Sequence, residues 1–477
     1  MAKKRISRRK QKCNRKVEVE TTHVPLCALG AVIQEKKLFE PIHRIVDIPQ
    51  KIVLYRPTDK LLFATLGIMA GAESVYELNT VLRPHQPLLA SFGYETCADQ
   101  SVIQQTIDAA TEVNVQQFEV AIKEIWEQQS RIRLEMPSQL ADHPVTIDID
   151  LSPLPASKGA EQSKKGYVAN RKNQYGRQLA RVLIPSTSEI VTQSLYPGNT
   201  VSCAVFKEMV YKMEDALHLN AQAKRQSIKL RLDAGFGSDD NLNFALWRGY
   251  HLLAKIYSTQ RARKLAKSVK AWVTIPSEAG NTQRQAGFVT QPHRYGRKTV
   301  QVAVRTPTQK GKYAYSVLVT TRLDATLAEV VTDYDQRGGV PESNFCQDYQ
   351  GLSLRKRRKG GFVAQQMLVL LSQLAHNLIV WAKGWFSDAL EESLFRGEEP
   401  PDQNETALIL LAIQTISERG QKRFLRQILS LKGKVVLKGQ KVEQIGLNPL
   451  YPLINRIKTA LEAFLKPYKI WVSLDES

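Results

Sequence analysis

The sequence predicts an α/β fold: a mixed sheet covered by helices, with an all-β insertion and helical N- and C-terminal regions. Three observations predict it. Val145–Leu151 and Ile228–Asp233 alternate apolar and polar residues strictly, the period of a half-buried strand. Helix-like segments at 201–217 and 239–247 lie between strand-like runs, as crossover connections require. Residues 265–325 read almost wholly as strands, whereas the segments toward both ends read as helix.

Each element has its own signal. Pro57-Thr58-Asp59 precedes an apolar stripe at Leu62, Leu66 and Met69, a helix start. Asp99 is an N-cap candidate before Val102, Ile103 and Ile107. Val115, Phe118, Ile122 and Ile125 recur at three- and four-residue steps, one face of an amphipathic helix. After Pro144 the period becomes two, with Val145, Ile147 and Ile149 on one face and Asp148 and Asp150 on the other. Strands follow at 177–184 and 189–195, then a turn at Tyr196-Pro197-Gly198-Asn199. A strand at 251–257 ends this run. In the insertion, strands are expected at 271–275, 299–304 and 313–319, and helices return at 326–336 and 362–383. Gly397-Glu-Glu-Pro-Pro401 reads as a linker, followed by a helix at 408–416 and basic positions from Lys422 to Lys438.

Composition narrows the partners. The 477 residues carry 67 Lys plus Arg against 46 Asp plus Glu, a net charge of +21. Such an excess favours polyanions, nucleic acid first and an anionic membrane surface second. The first twenty residues are a basic tail with almost no apolar anchors and are expected to be disordered. The most apolar segment, Phe362–Phe386, contains Gln365, Gln366, Gln373, His376 and Asn377, too polar for a bilayer span. His376 reads as a satisfied core histidine. No apolar stretch follows Met1-Ala2-Lys3-Lys4-Arg5, and five scattered cysteines form no C-x-x-C. Secretion, disulfide scaffolds and zinc modules are therefore not expected, and the cytosol is. No G-x-x-x-x-G-K-[ST] loop points to NTP hydrolysis.

Phosphodiester chemistry calls for carboxylates from different elements converging on divalent cations. Asp150 and Asp233 each end an alternating strand and each precedes an open stretch, Leu151-Ser152-Pro153 or Ala234-Gly235-Phe236-Gly237. A third acid comes from Tyr334-x-x-Arg337 leading to Glu342. Pro341 suits the first position of a helix, with Glu342 in its first turn. Arg337 is suited to a phosphate or to pairing with Asp333. Asp148 shares a face with Asp150 and competes with it.

In this order, these motifs resemble the DDE transposases of bacterial insertion sequences, more narrowly the group with a Tyr-Arg-Glu signature and a β-strand insertion before the final Glu. Spacings of 83 residues from Asp150 to Asp233 and 109 from Asp233 to Glu342 agree. The resemblance covers roughly 140–385. It implies a ribonuclease H-like core in two parts, 139–264 and 326–390, with the β insertion at 265–325. Around them, composition and periodicity lead us to expect a basic arm at 1–20, a helical DNA-binding domain at 21–138, and a linker with a basic helical region at 391–477. The resemblance also implies Asp150, Asp233 and Glu342 as ligands of Mg²⁺ or Mn²⁺, two ions in all, cleaving element ends and joining them to target DNA. Tyr334 and Arg337 would contact the terminal phosphates. A homodimer or higher assembly on the element's terminal repeats is implied as well.

The sequence departs from this group in two places. Four residues rather than three separate Arg337 from Glu342. Cys346 and Tyr349 stand where a lysine is usual. The basic run Arg355, Lys356, Arg357, Arg358 and Lys359 either replaces that lysine as a DNA contact or is a solvated loop. Trp247, near Asp233 in sequence, is a base-stacking candidate or a core residue. The alternatives to a transposase are a decayed or domesticated DNA-binding protein and a metal-dependent nuclease on the same core.

Overall fold

The structure, a computed structural model, describes residues 16–51, 54–132, 144–168, 171–276, 284–308, 311–395 and 401–475; the side chains at 167–168 and 338–343 lie outside the description. The chain forms two compact units, Ser130–Phe345 and the pair of segments Met1–Gln129 and Cys346–Ser477.

The Ser130–Phe345 unit is built on one ten-stranded sheet. Its elements are β1 (Val145–Pro155), β2 (Lys164–Val168), β3 (Arg171–Ile184), β4 (Glu189–Pro197), α1 (Ser202–Ala216), β5 (Ile228–Leu232), α2 (Asp239–Trp247) and β6 (His251–Lys255). There follow α3 (Thr259–Ala266), β7 (Val273–Ile275), β8 (Arg284–Phe288), β9 (Val300–Pro307), β10 (Tyr313–Thr320) and α4 (Leu327–Cys346). The sheet order is β2-β3-β1-β5-β6-β10-β9-β8-β7, with β4 pairing β3. β1, β5 and β6 run parallel, and α1 and α2 are the crossovers between the parallel strands. The apolar row Ile147, Ile149, Ile228, Leu230 and Leu232 is fully buried, and α1 packs over β1, β3 and β4.

Residues 265–325 do not stand apart as a subdomain. β10 pairs antiparallel with β6, Leu318 opposite Lys255, so the insertion's strands extend the central sheet. Strand edges carry unpaired backbone groups, and here the edge of β6 is filled from within the same unit. The extension also forms an apolar bed of Leu253, Ile275, Val302, Val304 and Leu318. Onto it pack Val330, Val331 and Tyr334 of α4.

α4 corrects the expectation of a helix starting at Pro341. The helix starts at Leu327, where Thr326 and Glu329 exchange caps: the Glu329 N–H donates to Thr326 Oγ1 (3.3 Å) and the Thr326 N–H to Glu329 Oε2 (2.8 Å). It then runs unbroken to Cys346. An interior proline forfeits one backbone hydrogen bond and costs about 3 kcal/mol in an isolated helix. Contacts from the sheet to Asp333 and Phe345, on either side of Pro341, offset it here.

In the other unit, Phe362–Phe395 is the buried axis. It packs against Pro57–Met69, Glu112–Gln129, Gln403–Ser417 and Ile454–Leu465. Its polar residues are buried and used: His376 Nδ1 lies 2.6 Å from Asp348 Oδ1 and 2.7 Å from Gln421 Nε2. This unit also contains a sheet that the expected helical ends did not include, ordered Lys16–Thr21, Gly433–Lys438, Lys441–Leu447, Trp471–Leu474. The expected disordered arm is thus corrected from Lys16 onward, because Gly433–Lys438 supplies a backbone partner that local composition does not reveal. Residues 1–15 and 396–400, with most of the expected linker, lie outside the described residues.

Candidate active site

Register sets the site. Asp148 is opposite Arg231 and Ile149 opposite Leu232, where the parallel pairing stops, so Asp150 and Asp233 stand side by side. Asp233 follows the end of β5, but Asp150 does not end its strand as expected, because β1 runs on to Pro155 paired with β3. Side chains alternate along a strand. One face therefore carries Asp148 and Asp150 from β1, and Lys229 and Arg231 from β5 with Asp233 just past its end. α4 crosses this face, presenting Asp333 and Tyr334 from one turn and Arg337 from the next.

Two tiers of charge result. In the inner tier, Arg231 donates through Nε and Nη2 to both Asp148 oxygens, at 2.8 and 2.9 Å. Its Nη1 donates to the Asp333 carbonyl at 2.7 Å. Lys229 holds the Asp333 carboxylate at 2.6 Å. Asp148 is 0% and Arg231 2% exposed, a sealed pair with both carboxylate oxygens used. Burial pushes the Asp148 carboxyl up while the guanidinium pulls it down, and the net direction is upward.

The outer tier is different. Arg337 Nη2 lies 3.2 Å from Asp150 Oδ1 and 3.9 Å from Asp233 Oδ2, one guanidinium against two carboxylates. Asp150 Oδ1 also accepts from the Leu151 N–H at 3.0 Å, and Asp233 Oδ1 from the Phe236 N–H at 3.3 Å. Burial pushes the Asp150 carboxyl up to about 6 against the pull of Arg337, and the Asp233 carboxylate adds to the rise. Burial opposes the charge on Arg337, but the two aspartates hold its pKa above the ordinary value. Its Nε is buried with no hydrogen-bond partner among the described residues. Gly235 keeps the ground beside Asp233 clear, since a Cβ there would stand 2.8 Å from Ser202 Oγ and 3.1 Å from Asp233 Oδ1.

Residues 142–378 match the family described as the transposase DDE domain. This stretch is a transposase DDE domain. Among solved structures, the chain is similar to a piggyBac transposase in a synaptic complex with hairpin DNA. The TM-score is 0.43 and the identity 14%, over 86% of this chain and 85% of that one. No curated protein matches.

Within the DDE domain the structure brings together Asp150, Asp233 and Arg337, with Tyr334 one turn earlier. Burial raises the Tyr334 hydroxyl to about 12, and its ring packs on the apolar bed. Asp148, the rival first carboxylate, is taken up by Arg231. Asp333, the alternative partner of Arg337, pairs instead with Lys229. The Glu342 side chain lies outside the described residues; its backbone is helical. Among the described residues, no group of three acids, histidines or cysteines is arranged to hold a metal. Trp247 is 68% exposed at the end of α2, its ring against Gly296, and is not a core residue.

The basic run belongs to the other unit and is mostly engaged there. Arg355 stacks on Tyr349 at 4.1 Å, Lys356 pairs with Glu73, and Lys359 pairs with Asp108 at 2.9 Å. Arg357 is buried, donating to the Ala72 carbonyl at 3.1 Å, and burial lowers it to about 10. Lys356 and Arg358 are exposed. Sequence reasoning missed Lys229, Arg231 and Arg181. The signal was present: Lys229-Leu-Arg231-Leu-Asp233 puts three charges on one face of one strand.

Proposed function

We propose that this protein is a DNA transposase that cleaves the ends of its element and joins them to target DNA. Asp150, Asp233 and Glu342 are its cation ligands, on a ribonuclease H-like core formed by β1, β3–β6 and their helices, with β7–β10 as the insertion. The carrying observation is the outer tier: two carboxylates side by side where the parallel pairing of β1 and β5 stops, balanced among the described residues by one guanidinium. That acidic excess of hard oxygen donors fits a divalent cation such as Mg²⁺. Held by these carboxylates, two such cations would supply Lewis acidity to the attacking water or 3′ hydroxyl and to the leaving oxygen.

The chain's own groups do the rest. Arg337, already aimed at the aspartates and with Nε unpartnered among the described residues, is suited to donate to a non-bridging phosphate oxygen. Tyr334 borders it from the apolar side. Exposed Trp247 offers a stacking surface for an unpaired base, and the exposed Arg358 is placed to meet a backbone phosphate.

A strand-transfer assay with pre-cleaved ends and Mg²⁺ or Mn²⁺ tests the reading. Joined product is expected from the native chain and none from Asp233→Ala; full activity in that variant removes the proposal. Hydrolysis with no joined product would turn it into a nuclease. One observation favours a decayed DNA-binding copy. A regular helix turns about 100° per residue, so residue 342 falls about 140° around from Arg337, and the DNA chemistry requires α4 to absorb that extra residue. DNA binding without metal-dependent cleavage would establish this second reading.

A further inference from the structure

We infer that Arg231 and Arg181 are positioning residues. These two buried guanidiniums, one from each strand flanking β1, clasp α4 on either side of its Arg337–Glu342 segment and fix that segment over Asp150 and Asp233. The inference rests on the transposase reading for what the segment does, but the clasp itself is a property of the fold.

The first clasp is Arg231. All three of its nitrogens are used, two on Asp148 and the third on the Asp333 carbonyl. That third acceptor is backbone, so the contact fixes the height of the helix rather than the rotamer of a side chain. Arg337 is one turn further on. The second clasp is Arg181 on β3, 1% exposed and directly opposite Asp150 in register. Gln193 of β4 accepts from its Nε (3.2 Å) and Nη2 (3.1 Å) and so orients it. Its Nη1 then donates to Asn344, and its guanidinium lies 4.2 Å from the Phe345 ring centre.

The two clasps are therefore keyed to the two aspartates of β1: Asp148 is opposite Arg231, and Asp150 is opposite Arg181. They grip α4 at 333 and at 344–345, about 17 Å apart at the helical rise of 1.5 Å per residue. Arg337 and residue 342 lie between them. Stability alone is a poor reason to bury such charges, because a buried ion pair often does no better than well-packed apolar residues. Buried charge retained at both ends of one segment is better explained by the geometry it dictates. The segment between the grips contains Gly338, Gly339 and Pro341, residues that weaken a helix, so its placement depends on its ends.

The test uses the full-length chain with Arg231→Lys and Arg181→Lys, which keep the charge and lose the fork. Hydrogen–deuterium exchange and strand transfer are measured together. Each variant is expected to lose amide protection in 327–346 while peptides from β1, β5 and α1 keep theirs. The turnover rate is expected to fall at least tenfold with the half-saturating DNA concentration within twofold of native. The half-maximal Mn²⁺ concentration is expected to rise several-fold. Native protection of α4 with native turnover in both variants overturns the clasp. So does loss of protection across the whole unit, which would make the pair a support of the sheet. If Asp233→Ala is fully active while α4 still loosens in the lysine variants, the transposase reading has failed and the clasp has not.

Discussion

Asp148 and Asp150 leave the same face of one strand, two residues apart, yet the fold treats them differently. Asp148 is sealed, with both oxygens on one guanidinium that is itself fully used. Among the described residues, Asp150 shares a single arginine with a second carboxylate, and that arginine has a nitrogen without a partner. Burial separates the two acids only in part, the Asp148 side chain being 0% and the Asp150 side chain 18% exposed, and it does not decide their use. Charge balance does. A carboxylate whose counter-charge is complete holds structure together, whereas one that must divide its counter-charge is ready to accept another cation.

That contrast can be broken most forcefully by exchanging the losses. Asp150→Asn is expected to cut strand transfer on the order of a thousandfold, the scale seen when a group that stabilises transition-state charge is removed. Its unfolding midpoint in denaturant is expected to stay at or above the native value. Asp148→Ala is expected to do the reverse in kind, destabilising the domain by about 3–5 kcal/mol by leaving Arg231 buried without its partner. Equal effects of the two variants on turnover and on stability would erase the distinction between the tiers.

A titration sharpens it further. In the fold Asp150 titrates at about 6, above its ordinary 3.8. The folded state therefore holds the proton longer than the unfolded chain does. The associated stability is complete below 3.8 and is lost as pH rises through 6, about 3 kcal/mol over the full span. Asn mimics the protonated acid and does not titrate. In the presence of EDTA, the stability of Asp150→Asn relative to the native chain should therefore grow between pH 4.5 and 7.5, read from denaturant unfolding. Parallel pH profiles would show that Asp150 ionises without penalty.

How much of this was legible in the sequence follows from which interactions are local. Alternation in 145–151 and 228–233 exposed the charged face, because period two is a property of the strand itself. It could not choose between Asp148 and Asp150: the choice depends on Arg231, which becomes a neighbour only once β1 and β5 pair. The strands of 265–325 were legible, but not their junction with β6, since antiparallel register leaves no local mark. Pro341 was read as a helix start on sound local grounds, and contacts from Arg231 and Arg181 override it. The four-stranded sheet joining Lys16–Thr21 to the C-terminal strands was invisible because its partners are more than four hundred residues apart.

The same test of charge balance applies to the basic run, on a smaller scale. Arg357 is held by hydrogen bonds to neutral groups: it is buried, bonded to the Ala72 and Leu352 carbonyls, and lowered to about 10 by burial. Arg358 is exposed, and its Nε is committed only to the nearby Arg355 carbonyl. Arg357→Ala is expected to lower the unfolding midpoint, as loss of hydrogen bonds to buried carbonyls should. Arg358→Ala is expected to leave that midpoint within about 0.5 kcal/mol of native. If Arg358 meets a phosphate, its removal lowers the dependence of log affinity for DNA on log salt by about 1. A salt slope unchanged in Arg358→Ala, measured from 50 to 200 mM salt on the same duplex, would leave its charge with no part in DNA binding.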